Sequence, residues 1–264
     1  MPVEVRDESE VDEAIEVKKA KTLAGALVGK NGMAVGSIEI KVGKAGKKGS
    51  SVSGSVTMLS NGKKATAKAR TRNIDLSSGP QQVVFDVKGL GALALTIGGD
   101  ADGELAFAGS MGEYGATSVD IASALSGTAK FYLSDDFPSE INGGAVNAGY
   151  LPNGEKITLG KKWTLAKNAA IAYKKDRKSG EYGWVVNNGR NDTAKTNYSN
   201  LKLTYAAKKG TFKGSFKAYT LNTSGKTPKM KKVTVNVTGM MVDGVGYGSA
   251  SVKKPSIACP VLIK

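Results

Sequence analysis

The chain has 264 residues and a formal net charge of +15, with no histidine and a single cysteine. These counts exclude Ser-His-Asp and Cys-His nucleophilic sites, histidine-ligated zinc, thiolate metal clusters and intrachain disulfides. We therefore expect no cofactor. The length suffices for one large β domain or two of ordinary size. Cys259 lies among apolar residues and is interpreted as a buried small hydrophobic residue rather than a reactive thiol.

The basic charge indicates anionic partners such as acidic glycans, membrane surfaces or nucleic acid. Only five of the 38 basic residues are arginine. Lysine is a hydrated point charge without the fork that reads bases and clamps phosphate, and it keeps exposed strands from pairing at their edges. This composition favours solvated strand faces over a specific nucleic-acid site, with a polysaccharide or another anionic surface polymer as the candidate partner. The oligomeric state is left open.

Residues 1–20 form the one strongly acidic stretch, and we expect a solvated tail or linker there. The stretch lacks the basic and then apolar order of a signal peptide, and is compatible with a piece of a longer chain. No apolar run in the sequence approaches the length of a membrane span, so no membrane insertion is expected.

From residue 23 onward, apolar and polar residues alternate in short runs. Ile38, Ile40 and Val42 form one such series, and Asn31-Gly32 and Asn61-Gly62 are typical of hairpin turns. Turn residues recur about every ten positions, as in β-sandwiches and barrels.

The second half is divided from the first by a less regular stretch. Residues 117–127 are compatible with a short helix, and a loop rich in Gly, Asn and Pro marks a boundary near 140–152. Strict alternation returns in residues 201–254. The sequence therefore predicts an all-β chain of two consecutive antiparallel β-sandwich or open-barrel domains built from meanders, at residues 21–145 and 146–264.

A short pattern of the form apolar-x-Gly-Ser-apolar recurs in the strands. It occurs at residues 52–56, 107–111 and 212–216. Glycine inside a strand often marks a bulge, a bend or the close approach of another element. The recurrence indicates one structural corner that is used repeatedly.

The segment at residues 210–216, of the form G-x-F-x-G-S-F, precedes a glycine-rich segment, V-x-G-x-x-V-x-G-x-G-x-G, at residues 237–248. With AGALVGKNGMAVGSIEIKV in the N-terminal half, these segments resemble β-rich repeat modules of long secreted bacterial proteins of unknown function. The resemblance implies an extracytoplasmic accessory or structural module and carries over no catalytic or binding residue.

Two groups of carboxylates are candidates for chemistry. Asp100, Asp102 and Glu104 alternate as in a calcium loop, but the remaining ligands of such a loop are missing, and a hairpin turn is favoured. Asp135 or Asp136 with Glu140 is compatible with a glycosidase pair, although a solvated loop is the simpler interpretation.

Aromatic residues concentrate in the second half, where Trp163, Trp184, Tyr173 and Tyr182 are candidates for stacking on sugar rings. The nearby Asn187, Asn188 and Asn191 would donate hydrogen bonds to such a ligand. The alternative is that both tryptophans fill a core that is poor in aromatic residues, and this alternative is favoured.

We therefore expect a non-catalytic structural or adhesion module of a larger secreted or surface protein. A carbohydrate-binding module that uses the aromatic residues of the second domain is the main alternative. An enzyme with paired carboxylates is a further one.

Overall fold

The computed structural model describes residues 3–60, 63–119, 127–160, 162–163, 167–186, 196–253 and 257–264. The chain forms two compact units. The first contains Met1–Ala124 together with Ala207–Gly210 and Met240–Tyr247, and the second contains Leu125–Ala206, Thr211–Gly239 and Gly248–Lys264.

The first unit is a closed, eight-stranded antiparallel barrel. Its strands are β1 (Lys21–Val28), β2 (Ala34–Val42), β3 (Ser50–Met58), β4 (Lys64–Ala69), β5 (Asn73–Ile74), β6 (Gln81–Val87), β7 (Gly91–Gly99), β8 (Leu105–Met111) and β9 (Tyr114–Ser118), with 3-10 turns at Glu8–Glu10 and Leu76–Ser78. The strands follow one another around the barrel in chain order, except that the short β5 pairs outside the ring with β3. Pairing of β1 with β9, from Gly25 opposite Ser118 to Val28 opposite Gly115, closes the ring.

The alternation of apolar and polar residues along the strands accounts for the side chains that fill the interior of the barrel. In β2 the residues Ile38, Ile40 and Val42 are buried, whereas Lys41 between them is exposed. Apolar residues at the corresponding positions of the other strands join them in one continuous cluster. An eight-stranded barrel has room inside for side chains alone, and here Val, Leu, Ile and Phe fill it.

Residues 3–17 lie along the barrel and do not extend as the solvated tail that the sequence predicts. The Val3 amide donates to the Gly32 carbonyl (2.6 Å), and Glu13 forms a two-way β-bridge with Gly99. The reason is that apolar residues are spaced among the acidic ones. Val11, which is 1% exposed, packs on Ala106 and Ala108.

The second unit is an antiparallel half-barrel. Its strands are β10 (Gly127–Leu133), β11 (Glu140–Ile141), β12 (Gly144–Val146), β13 (Glu155–Leu159), β14 (Lys162–Trp163), β15 (Lys167–Asn168), β16 (Ile171–Lys175), β17 (Tyr182–Val186), β18 (Thr196–Asn197), β19 (Lys202–Ala206), β20 (Thr211–Asn222), β21 (Lys229–Val242), β22 (Val245–Val252) and β23 (Ile257–Ile263), with a 3-10 turn at Ala148–Tyr150. The 3-10 turn at Ala207–Lys209 and residues 240–247, which include one end of β21 and of β22, are counted with the first unit. The main sheet runs β11-β12-β20-β21-β22-β23-β10-β13, and β19 pairs with both β14 and β20. Two separate two-stranded sheets accompany the half-barrel: β15 and β18 run parallel to each other, and β16 and β17 run antiparallel.

These pairings place the division between the units about twenty residues earlier than the predicted boundary at 145. β10 pairs with β23 near the end of the chain, and β12 pairs with β20. β10 and β12 precede residue 147, yet both belong to the sheet of the second unit. The loop near 140–152 is therefore internal to that unit, and a loop-rich composition alone does not identify a domain boundary.

The all-β, antiparallel fold class predicted from the sequence is confirmed, with barrel and half-barrel geometry. Asn61-Gly62 and most of the predicted helix at 117–127 lie outside the described residues. No helix among the described residues is long and apolar enough to cross a membrane.

The recurrent glycines mark close approaches between neighbouring strands. A Cβ on Gly54 would lie 2.9 Å from the Glu39 carbonyl oxygen, and one on Gly109 would lie 2.9 Å from the Leu95 Cα. A Cβ on Gly214 would overlap the carbonyl oxygen of Lys202. The shared role of the pattern is therefore a backbone contact that only glycine leaves free.

Candidate binding surface

The alternating carboxylates after β7 form a hairpin turn. One carboxylate oxygen of Asp100 accepts from the backbone amides of Asp102 (3.2 Å) and Glu104 (2.9 Å), and Gly103 adopts φ +70°. The other oxygen accepts from Arg6 (3.0 Å). Partial burial raises the pKa of Asp100, but the amides and the guanidinium outweigh this effect and lower the pKa from its ordinary value. No group of three or more metal-binding side chains occurs among the described residues.

The second group of carboxylates lies between β10 and β11, with Asp135 and Asp136 in the turn after β10 and Glu140 at the start of β11. Asp135, Asp136 and Glu140 are exposed. The Ser134 hydroxyl donates to the Asp136 carboxylate and accepts from the Asp136 amide, both at 3.2 Å. All three side chains are open to solvent and no cleft is described around them, so the geometry gives no support to a glycosidase pair.

Cys259 is buried at 3% exposure, as the sequence indicates. Burial, and to a smaller extent the charge of Asp136, raises the pKa of its thiol to about 11. At neutral pH the side chain is therefore a protonated and unreactive hydrophobic residue.

The structure separates the four aromatic candidates. Trp163 is 5% exposed and belongs to the core of the second unit. Its ring stacks on Tyr205 (centroids 5.4 Å apart, planes inclined by 13°) and packs against Phe212 at 5.2 Å. Trp163 therefore presents no face to a sugar, because its core neighbours cover the ring.

Tyr173, Tyr182 and Trp184 lie together on the β16–β17 hairpin. Tyr173 is directly opposite Trp184 in the register, and their rings meet edge to face at 5.2 Å. The ring of Tyr182 stacks on Tyr173 at 6.0 Å with planes inclined by 14°. Tyr182 is 37% exposed, and the other two are half-buried. These three predicted residues therefore form one group.

Three further tyrosines extend this group. The ring of Tyr150 lies edge to face with Trp184 (5.7 Å), Tyr198 (5.4 Å) and Tyr219 (6.2 Å). Tyr219 is the buried base of the cluster. Its hydroxyl donates to the Tyr198 carbonyl (2.7 Å), and burial raises its pKa.

The half-buried or exposed members of the cluster are here called the aromatic surface, which consists of Tyr150, Tyr173, Tyr182, Trp184 and Tyr198. Sequence reasoning did not select Tyr150 and Tyr198, because each follows an irregular loop and no periodicity marks its face. The one residue whose sequence position points to this cluster is Tyr219. It shares the alternation parity of the solvated Lys213, and an aromatic residue at such a position indicates that something covers it.

Val185 and Val186 of β17 are also exposed, at 41% and 39%. Val186 shares the face of β17 that carries Tyr182 and Trp184, and an exposed apolar residue beside aromatic rings is typical of a contact surface, whereas Val185 lies on the opposite face. Asn187, Asn188 and Asn191, the predicted hydrogen-bond donors, lie outside the described residues.

Comparisons with protein families, with curated proteins and with solved structures gave no match to this chain.

Proposed function

We propose that the chain is a non-catalytic structural or adhesion module of a larger secreted or surface protein. The observation that supports this most is the arrangement of its carboxylates. The carboxylate of Asp100 is hydrogen-bonded within a hairpin turn, and the carboxylates of Asp135, Asp136 and Glu140 are exposed to solvent. Enzymes that cleave glycosides need two carboxyl groups facing each other across a substrate cleft.

The test is to incubate the chain with a panel of polysaccharides and to measure both protein retention and newly formed reducing ends. A structural or adhesion module releases no reducing ends from any of them. Hydrolysis that disappears in Asp136→Asn or Glu140→Gln would contradict the proposal, because it would assign a reaction to these carboxylates.

The second candidate function is carbohydrate binding through the aromatic surface. The supporting observation is that aromatic rings, at 5.2–6.0 Å from one another, remain partly open to solvent in a chain with only 6% aromatic residues. A core uses such rings to fill volume, as it does Trp163, whereas these rings offer apolar faces with hydroxyl groups at their rims.

Single-tryptophan variants test this candidate. In Trp163→Phe the remaining Trp184 should respond to a bound sugar with a change in fluorescence. In Trp184→Phe the remaining Trp163 should show no response, because core residues cover its ring. Equal responses of the two variants would contradict binding at the aromatic surface.

A further inference from the structure

Four lysines share one face of β19, β20 and β21. Lys202 lies opposite Ser215, and Thr204 lies opposite Lys213, so β19 and β20 point these side chains to the same side. Lys217 follows Lys213 by four positions and donates to the Thr234 hydroxyl on β21 (2.6 Å). Lys232 is two positions from Thr234 and shares its face. Lys202, Lys213, Lys217 and Lys232 are here called the lysine row.

No negative charge offsets the lysine row within its own strands. β19, β20 and β21 contain no aspartate or glutamate. Within the described residues, no ion pair involves any of the four lysines. In the first unit, by contrast, Arg70 pairs with Asp86 at 2.8 Å. Mutually repelling cations on one face favour an anionic ligand.

Hydroxyl groups stand between these cations. Ser215 separates Lys213 from Lys217 along β20, and Thr204 and Thr234 flank them on β19 and β21. The Cα atoms of Lys213 and Lys217 are about 13 Å apart, at 3.3 Å per residue. The face therefore offers cations at intervals, with hydrogen-bonding groups between them.

The lysine row leads directly into the aromatic surface. Lys217 and Tyr219 are two residues apart on the same face of β20, and Tyr219 packs against the ring of Tyr150 and donates to the backbone carbonyl of Tyr198. The Lys217 amide donates to the Ser199 carbonyl (2.6 Å), which ties the segment that carries Tyr198 to the edge of β20. Rings and cations consequently form one continuous surface of the second unit.

We propose that this surface binds an acidic polysaccharide, one that carries carboxylate or sulfate groups along a chain of sugar rings. The lysine row would contact the anionic groups, and the aromatic surface would pack on the apolar faces of the sugars. The inference rests on the proposed binding function and specifies its ligand class. A single-stranded nucleic acid is the less favoured occupant. β19, β20 and β21 carry no arginine, and the rings pack on one another instead of standing apart for bases to stack between them.

The test measures affinity of the whole chain, by calorimetry or biolayer interferometry, for polygalacturonate, heparin, a neutral dextran and a single-stranded DNA oligonucleotide. The variant is Lys213→Gln with Lys217→Gln. The matched control is Lys130→Gln with Lys156→Gln, which removes the same charge. These two lysines are exposed and lie opposite each other on β10 and β13 of the same sheet, whereas Lys213 is exposed and Lys217 is half-buried. Tyr182→Ala probes the aromatic part, and Tyr132→Ala, a half-buried tyrosine of β10, is its control.

We expect at least one of the two acidic polysaccharides to bind more tightly than dextran and DNA. Two charge contacts near the surface correspond to a loss of about tenfold in the Lys213/Lys217 variant. Loss of one ring contact corresponds to about fivefold in Tyr182→Ala. The two controls should stay within about twofold. Binding to polygalacturonate alone would identify carboxylates as the anionic groups, and binding to heparin alone would identify sulfates.

Equal losses in the two lysine variants would overturn the inference, because they would indicate attraction by the overall charge. Tighter binding of DNA than of either acidic polysaccharide would also overturn it and assign the surface to nucleic acid. Binding to dextran that is insensitive to the lysine variants would reject the acidic ligand but keep carbohydrate binding. No binding to any of the four would reject both the inference and carbohydrate binding, while leaving the structural module as it stands.

Discussion

Replacement of Gly214 by alanine tests how closely β19 and β20 approach. Gly214 lies opposite Leu203 in the register. A Cβ at this position would overlap the Lys202 carbonyl oxygen and would lie 2.8 Å from both the Lys202 carbonyl carbon and the Leu203 Cδ2. Two of these three atoms belong to the backbone of the partner strand. No rotamer change can relieve the overlap, so the strands have to move apart.

The expected cost follows from this geometry. Overpacking that shifts the backbone costs about 1–3 kcal/mol, and separating the strands weakens at least one ladder hydrogen bond, worth about 1 kcal/mol. The lower chain entropy of unfolded alanine offsets about 0.4–1 kcal/mol. We therefore expect a loss of about 2–3 kcal/mol in the free energy of unfolding.

Thermal unfolding followed by tryptophan fluorescence measures this loss in the right part of the chain, because Trp163 and Trp184 both lie in the second unit. A loss of that size corresponds to a decrease in Tm of about 10 °C. Gly183→Ala is the matched control. Gly183 is also a strand glycine of this unit, but its Cβ would meet no atom within 4 Å, so its Tm should stay the same or rise slightly. Equal Tm values for the two variants would refute the close approach of β19 and β20.

Three further results are expected. Iodide should quench the fluorescence of Trp184 in a Trp163→Phe variant, whereas the fluorescence of Trp163 in a Trp184→Phe variant should stay largely unchanged. The reason is that only Trp163 is covered by core residues, and equal quenching of the two variants would contradict this assignment. Arg6→Ala should lower the free energy of unfolding at pH 7 by about 1 kcal/mol, as measured in urea. The folded-state pKa of Asp100 lies below its ordinary value, so this contribution is complete above about pH 4 and is lost as the pH falls through the folded-state pKa. A difference from the wild type that does not decrease at all as the pH is lowered would assign the loss to another contact. Val11→Asp should destabilise the first unit by about 3 kcal/mol in the same assay, because it buries a carboxylate against Ala106 and Ala108, whereas a solvated tail would tolerate the change.

Alternation was sufficient to predict strands, because a strand sends successive side chains to opposite faces whatever its neighbours are. Ile38, Ile40 and Val42 are buried as their pattern indicates, and Lys202 and Thr204 are exposed. The hairpin turn at Asp100 was likewise predictable, since its carboxylate accepts from amides two and four residues away. Local hydrogen bonds of this kind need no tertiary context.

Contacts between distant segments decided the rest. No feature of the sequence used above distinguishes Trp163 from Trp184, and only the packing of Tyr205 and Phe212 against Trp163 separates the core residue from the surface residue. Tyr150 and Tyr219 are 69 positions apart, and they meet because β20 and the Ala148–Tyr150 turn belong to the same unit.

The sequence by itself determined the fold class, the buried face of each regular strand and the absence of histidine chemistry, since these depend on residue type and on a period of two. Tertiary structure alone decided the closure of the barrel through β1 and β9, the docking of residues 3–17 and the union of the lysine row with the aromatic surface. Each of these depends on which segments become neighbours. Backbone hydrogen bonds join the same N–H and C=O groups whatever the side chains are, so the sequence does not specify which strands pair.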